Sequence, residues 1–224
     1  MESILAFLNQ IKKNNSKEWL DAHRTEYQAA TQSFNLLVEK LIAGISGFDT
    51  SIKGLTVKDC TYRFNRDIRF SANKMPYKTH FGAFICPNGK KSGFSGYYFH
   101  IEPTDSGFLN GSMLCAGLYS PQPIVLKSIR EEIYLNGDSF EKVVREAKSF
   151  VLEDEHALKN VPRGYPADFQ YAEYLKIKNP SVYKRIDETF LLSDTFLEKT
   201  LEAFRETVSF NAWLNKAIRY AYED

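Results

Sequence analysis

The chain has 224 residues, 43% hydrophobic and 25% charged, enough to bury a sizeable core in one large domain. Twenty-nine Lys and Arg against 28 Asp and Glu leave a net charge of +1, which excludes a chain-wide field for nucleic acid or anionic lipid; any anion site must be local. Cys60, Cys86 and Cys115 are widely separated and form no CxxC pair, which argues against a disulfide framework or a zinc ribbon and for a reducing compartment.

The amino terminus, MESILAFLNQIKKNNSKEW, lacks a basic start followed by a long apolar run, and no stretch approaches the roughly 20 apolar residues of a membrane span. A soluble, cytoplasmic protein is expected, with no membrane partner. After Asn14 and Asn15, Ser16 is placed to cap one long helix whose apolar positions run Trp19, Leu20, His23, Tyr27, Ala30, Phe34, Leu37, Val38, Leu41, Ile42 and Ile45. From about Cys60 to Leu118 the pattern changes to short β-branched and aromatic runs, divided by the turn formers of residues 87–93 and 103–107. This predicts an antiparallel meander. Beyond Pro121 and Pro123, VLKSIREEIYL is helical, with Gly137 expected to end that helix and Asp138 and Glu141 to form a capping box for the next. PRGYP (162–166) and KNPS (178–181) interrupt the later helices, and Phe210, Trp213, Leu214, Ala217, Ile218 and Ala221 form a last apolar stripe. The predicted class is α+β in one domain over 1–224: helical over 1–48, antiparallel sheet over 55–120, helical over 121–224, the helices of both ends covering the central sheet.

The stretch TYRFNRDIRFSANKMPYKTH, residues 61–80, concentrates positive charge in Arg63, Arg66, Arg69, Lys74 and Lys78 around a single carboxylate, Asp67. Were Tyr62 to Phe70 one strand, Tyr62, Phe64, Ile68 and Phe70 would share one face and Arg63, Asn65, Asp67 and Arg69 the other. Arg66 falls on the apolar face, which demands a carboxylate partner or a bulge. In GYYFHIEP, Tyr97, Phe99 and Ile101 alternate with Tyr98, His100 and Glu102, so His100 and Glu102 should share a face. If that face also carries Arg63, Asp67 and Arg69, the sheet presents acid–base groups beside an arginine pair.

The pattern Arg63, Arg66-Asp67, Arg69-Phe70, Asn73-Lys74 and Tyr77, with Pro76 and Lys78 completing a PYK, resembles the signature of the bacterial proteins grouped as domain of unknown function 2461. NNSKEWLDAHRTEY, GYYFHIEP, GLYSPQP and PRGYPADF extend the likeness over nearly the full length. The resemblance implies a one-domain family member of unknown activity and identifies the basic stretch as the site without naming a substrate.

Planar guanidinium groups suit bidentate recognition of phosphate or carboxylate. The residues therefore point to a binding protein, or an enzyme, for a phosphorylated or carboxylated small molecule. Arg63, Arg66, Arg69, Asn73, Lys74, Tyr77, Lys78 and Tyr98 are the ligand-binding candidates; Asp67, His100 and Glu102 are the acid–base candidates. Two alternatives stand beside this: a nucleic-acid-associated module in which Tyr77 or Tyr98 stacks on a base, and a scaffold whose arginines form a structural salt-bridge network. The H-x-E of His100 and Glu102 lacks the P-C-x-x-C of zinc deaminases; His80 and Asp67 could add imidazole and carboxylate, but no diagnostic metal spacing is present, and no metal or cofactor is assigned. GFSG (93–96) is read as a turn, His23 as a hydrogen-bonded core histidine, His156 as a surface residue, and Arg163 and Tyr165 as parts of a connector.

Overall fold

A computed structural model describes residues 1–223. In chain order its elements are α1 (Glu2–Lys13), α2 (Lys17–Ala22), α3 (Arg24–Ser46), a 3-10 turn (Thr50–Ile52), α4 (Val57–Cys60), β1 (Phe81–Ile85), β2 (Gly96–Ile101), β3 (Ser112–Gly117), α5 (Pro123–Glu146), β4 (Val151–Leu152), α6 (Ala172–Leu175), β5 (Ser181–Ile186), α7 (Glu188–Leu192), α8 (Phe196–Arg205) and α9 (Val208–Tyr220). The strands form one antiparallel sheet in the order β1-β2-β3-β5-β4. β1 to β3 are the expected meander. β4 and β5 come from the segment read as helical: β4 has only two residues, too few to show alternation, and β5, SVYKRI, is strongly polar.

Strand alternation sends Phe81, Ala83, Ile85, Tyr97, Phe99, Ile101 and Leu114 to one face, where they meet Phe7, Leu8, Phe34, Leu41 and Phe204 of α1, α3 and α8. Ala116 and Val182, on the same face, join a second apolar cluster with Ile129, Phe140, Phe210 and Leu214 of α5 and α9. The opposite face, bearing Phe84, Tyr98, His100, Met113, Cys115 and Tyr183, adds no residue to either cluster.

The helix expected from Ser16 is two helices. Ser16 does cap α2, its Oγ accepting from the Trp19 amide at 3.2 Å, but His23 breaks the run. Its ring stacks on Trp19 at 4.1 Å and its Nδ1 lies 2.9 Å from the Trp19 carbonyl, so it is half-buried and locally bonded rather than a core stripe residue. The expected break near Gly137 is present one residue earlier: α5 is two helices joined across a kink at Asn136 (φ −135°, ψ 41°). Gly137 is needed there because a Cβ would overlap the Tyr171 ring. Asp138 accepts the Tyr171 hydroxyl and forms no capping box.

Residues 62–70 are not a strand. Thr61 bridges Ala83 at the edge of β1, and the chain then turns away: Arg66 N donates to the Pro76 carbonyl at 2.8 Å and Lys78 N to the Phe64 carbonyl at 3.0 Å, leaving 67–75 as a loop tip. Phe64 alone of the proposed apolar row is buried, stacked with Tyr77 in the first cluster, while Phe70 is 97% exposed. The turn formers Ser71, Asn73 and Pro76 win over the alternation of the preceding residues.

Candidate functional site

In the β1–β2 register Gly82 faces His100 and Phe84 faces Tyr98. Continued one step past the strand ends, it sets His80 opposite Glu102. The four polar side chains of these two rows thus collect at one end of the face that the helices leave free.

Glu102 anchors the group. Its carboxylate accepts from the amides of Phe108 (3.2 Å) and Leu109 (2.8 Å), from the Ser106 hydroxyl and from His100 Nε2 (3.0 Å), so the 103–111 loop is wrapped around it. The Ser112 hydroxyl, 3.0 Å from the Glu102 amide and 3.1 Å from its carbonyl, fixes the backbone where β2 ends. Burial of this 2% exposed residue opposes ionisation, but the hydrogen bonds from His100, Ser106 and Leu109 outweigh it and hold the carboxyl at about 2. The ionised carboxylate against Nε2 keeps a proton on that nitrogen, and Nδ1 lies 3.0 Å from the Tyr98 hydroxyl. Burial raises the Tyr98 pKa and keeps the phenol protonated. The result is a continuous chain from Glu102 through His100 to Tyr98, of the kind that orients an imidazole for proton transfer. Gly82 makes room for it: a Cβ there would lie 2.5 Å from the Tyr98 hydroxyl oxygen.

His80 closes the cluster. Its ring packs against those of His100 (centroids 4.7 Å) and Phe108 (4.5 Å, stacked), which also touch each other (5.9 Å), and its Nδ1 is sealed from solvent without a hydrogen-bond partner. Burial, aided by His100, Lys78 and Arg66, pushes the ring down to about 3. Ligand-capable atoms of His80, His100 and Glu102 all lie within 4.8 Å of one another.

The basic segment divides into three parts. At the exposed tip, Arg69 grips Asp67 through Nε (3.0 Å) and a terminal nitrogen (2.7 Å), Asn73 accepts from the Met75 amide, and Lys74 donates to the Ile68 carbonyl. In the stem, Tyr77 is 8% exposed and its backbone is held at both N–H and C=O by Asn15 at 3.0 Å. Arg66 donates to the Met75 carbonyl (3.0 Å) and toward Ser71 Oγ (3.4 Å); the carboxylate partner expected for it is absent among the described residues. Third, Lys78 is half-buried over the Tyr62 ring at 5.4 Å, its pKa lowered by burial and by Arg63. Among the described residues, Arg63, Arg66, Lys74 and Lys78 form no ion pair with any carboxylate.

Of the residues singled out from the sequence, Tyr98, His100 and Glu102 come together, and Arg66 and Lys78 act electrostatically on the His80 ring beside them. Arg63, Asp67 and Arg69 do not join His100 and Glu102 on a common strand face, because no such strand exists. His80 enters the cluster with Glu102, not with Asp67. Extending the β1 alternation backwards by twos, from Phe84 to Gly82 to His80, would have placed it on the His100 face. Gly82, Ser106 and the amides of Phe108 and Leu109 carry no motif. Tyr165 packs on Tyr134 at 5.5 Å against the second apolar cluster, and His156 is exposed beside Glu153.

Fold and site together define an α+β protein with apolar helical layers on one face of an antiparallel sheet and a buried His–Glu–Tyr chain on the other. A family model described as Conserved hypothetical protein (DUF2461) matches residues 3–213, nearly the whole chain, and the protein belongs to that family. No curated protein and no solved structure matches it. No helix among the described residues is long and apolar enough to cross a membrane.

Proposed function

We propose that the helix-free face binds a small anionic molecule, a phosphate or a carboxylate, between the cations Arg63, Arg66 and Lys78 and the Tyr98–His100–Glu102 chain. The observation that carries this reading is the unneutralised charge: Arg66 and Lys78, whose charge reaches the buried His80 ring, and Arg63, which acts on Lys78, are paired with no carboxylate among the described residues. A structural salt-bridge scaffold would neutralise them internally, and among the described residues only Arg69 of this segment is so neutralised, by Asp67. An anion would recover the cost of desolvating Lys78 through charge-assisted hydrogen bonds. The Tyr98 phenol, at the end of the chain that His100 and Glu102 orient, would then be the acid–base group offered to the bound molecule.

The nucleic-acid reading is favoured by one observation, Phe70, 97% exposed with the Arg69 guanidinium 5.9 Å from its ring centroid. The net charge of +1 weighs against it, since binding through many phosphates calls for a broad basic surface.

Thermal unfolding against a panel of phosphorylated metabolites, carboxylates and short oligonucleotides tests both. A ligand at a hundredfold excess over its dissociation constant stabilises the fold by about 2.7 kcal/mol. A small-anion shift lost in Lys78→Ala and kept in Arg69→Ala supports the proposal. Stabilisation by oligonucleotides alone, lost in Arg69→Ala, replaces it with the second reading, and no shift with any compound removes both.

A further inference from the structure

We propose that His80, His100 and Glu102 form a site for one divalent transition-metal ion, with zinc the best match to the donors. Two imidazoles and a carboxylate are a set used by catalytic zinc sites, which keep the remaining position open for water or substrate. The three donor atoms already lie within 4.8 Å of one another. Metal–nitrogen and metal–oxygen bonds of about 2.0–2.2 Å require spacings of roughly 3.5 Å in a tetrahedral site, so rotation of the His80 ring and a small closure complete the arrangement.

Little has to be undone to admit the ion. His80 Nδ1 has no hydrogen-bond partner to give up. Glu102 keeps its bonds from Ser106, Phe108 and Leu109, which are the supports that position a ligating carboxylate. Only the hydrogen bond from His100 Nε2 to Glu102, at 3.0 Å, has to break, and the metal replaces it with a bond to each partner. With Nε2 on the metal, Nδ1 carries the ring proton and donates it to the Tyr98 hydroxyl. His100 is then held by an outer partner, as metal-binding histidines usually are. Glu102 supplies one negative charge, and the nearby Lys78 and Arg66 leave the loaded site short of negative charge, which favours an anion as the fourth ligand. This last step rests on the anion reading above; occupancy by the metal does not.

The test uses the full chain, stripped with chelator and titrated with zinc in a buffer free of phosphate and carboxylate, with the bound metal counted by mass spectrometry. One zinc per chain is expected, with affinity reduced at least about tenfold in His80→Gln and unchanged in His156→Gln, whose exposed histidine beside Glu153 is the control. Cobalt substitution should give the visible bands of a low-coordinate centre in wild type and lose them in His80→Gln. Circular dichroism checks that this variant is folded. No zinc uptake by wild type, or equal uptake by wild type and His80→Gln, overturns the site. The anion panel run in chelator succeeds or fails independently of this result.

Discussion

On the helix-covered face of the sheet, Tyr97, Phe99 and Leu114 are fully buried among apolar neighbours; one residue along the same strands, Tyr98, His100 and Cys115 face away from both apolar clusters. The covered face is held by area removed from water, about 25 cal/mol per Å² of apolar surface. The other is held by hydrogen-bond satisfaction: Glu102 is buried only because four donors meet it. Substitutions on the two faces should therefore fail for different reasons.

Phe99→Ala leaves a cavity between β2 and α3 and should lower unfolding free energy by about 3–5 kcal/mol in urea denaturation, with no specific effect on ligand affinity beyond the loss of fold. Glu102→Gln changes almost no volume but presents donors to donors; a loss of about 2–3 kcal/mol is expected, together with loss of the anion shift. If Glu102→Gln melts like wild type, the carboxylate is not the anchor of this face. Gly82→Ala should separate site from stability most cleanly. Its methyl group meets the end of a side chain, Tyr98, and not backbone, so about 1 kcal/mol of stability is expected to go while the Tyr98–His100 bond is broken. Ligand affinity falling as far as in Tyr98→Phe is the predicted outcome, and unaltered affinity in both variants removes the phenol from the site.

Acid should act through the polar face. The folded His80 pKa of about 3 lies below its ordinary 6.5, so the unfolded chain binds this proton more readily between those values. The neutral ring costs nothing above pH 6.5 and a growing amount as pH falls toward 3. Glu102, at about 2 against 4.5, contributes stability that is present above pH 4.5 and is lost as pH falls from there toward 2. Urea midpoints of the metal-free protein should fall below pH 6.5, with a shallower slope between 6.5 and 4.5 in His80→Gln. A parallel slope in wild type and variant would assign the acid sensitivity elsewhere. The smallest effect is expected at the loop tip: Arg69→Ala removes an exposed pair with Asp67 and should leave the melting temperature unchanged.

The α+β class and the β1–β3 meander were legible because short aromatic runs alternate with period two and turn formers separate them. The same alternation correctly predicts that His100 and Glu102 share a face. It misleads over 62–70, where Arg66 on the apolar side signals the trouble: the residue sits in a hairpin stem bonded to a carbonyl, not in a strand facing a carboxylate. Ser106, Phe108 and Leu109 could not be read as partners of Glu102, because their convergence depends on the shape of a loop containing Asp105, Gly107 and Asn110 at positive φ. Ser95 shows the same limit. Read as part of a turn, it is fully buried and bonded to Asn211 and Asn215 of α9, far along the chain.

The most direct test of the helix-free face as the functional centre is a long-range ¹H–¹⁵N spectrum of the four histidines, recorded while the best anion from the panel is titrated in. His80 and His100 should move together, while His23 and His156 stay still. Movement of His156 or His23 alone, or an unresponsive His80–His100 pair in the presence of a ligand that stabilises the fold, would place the binding site elsewhere and contradict the account.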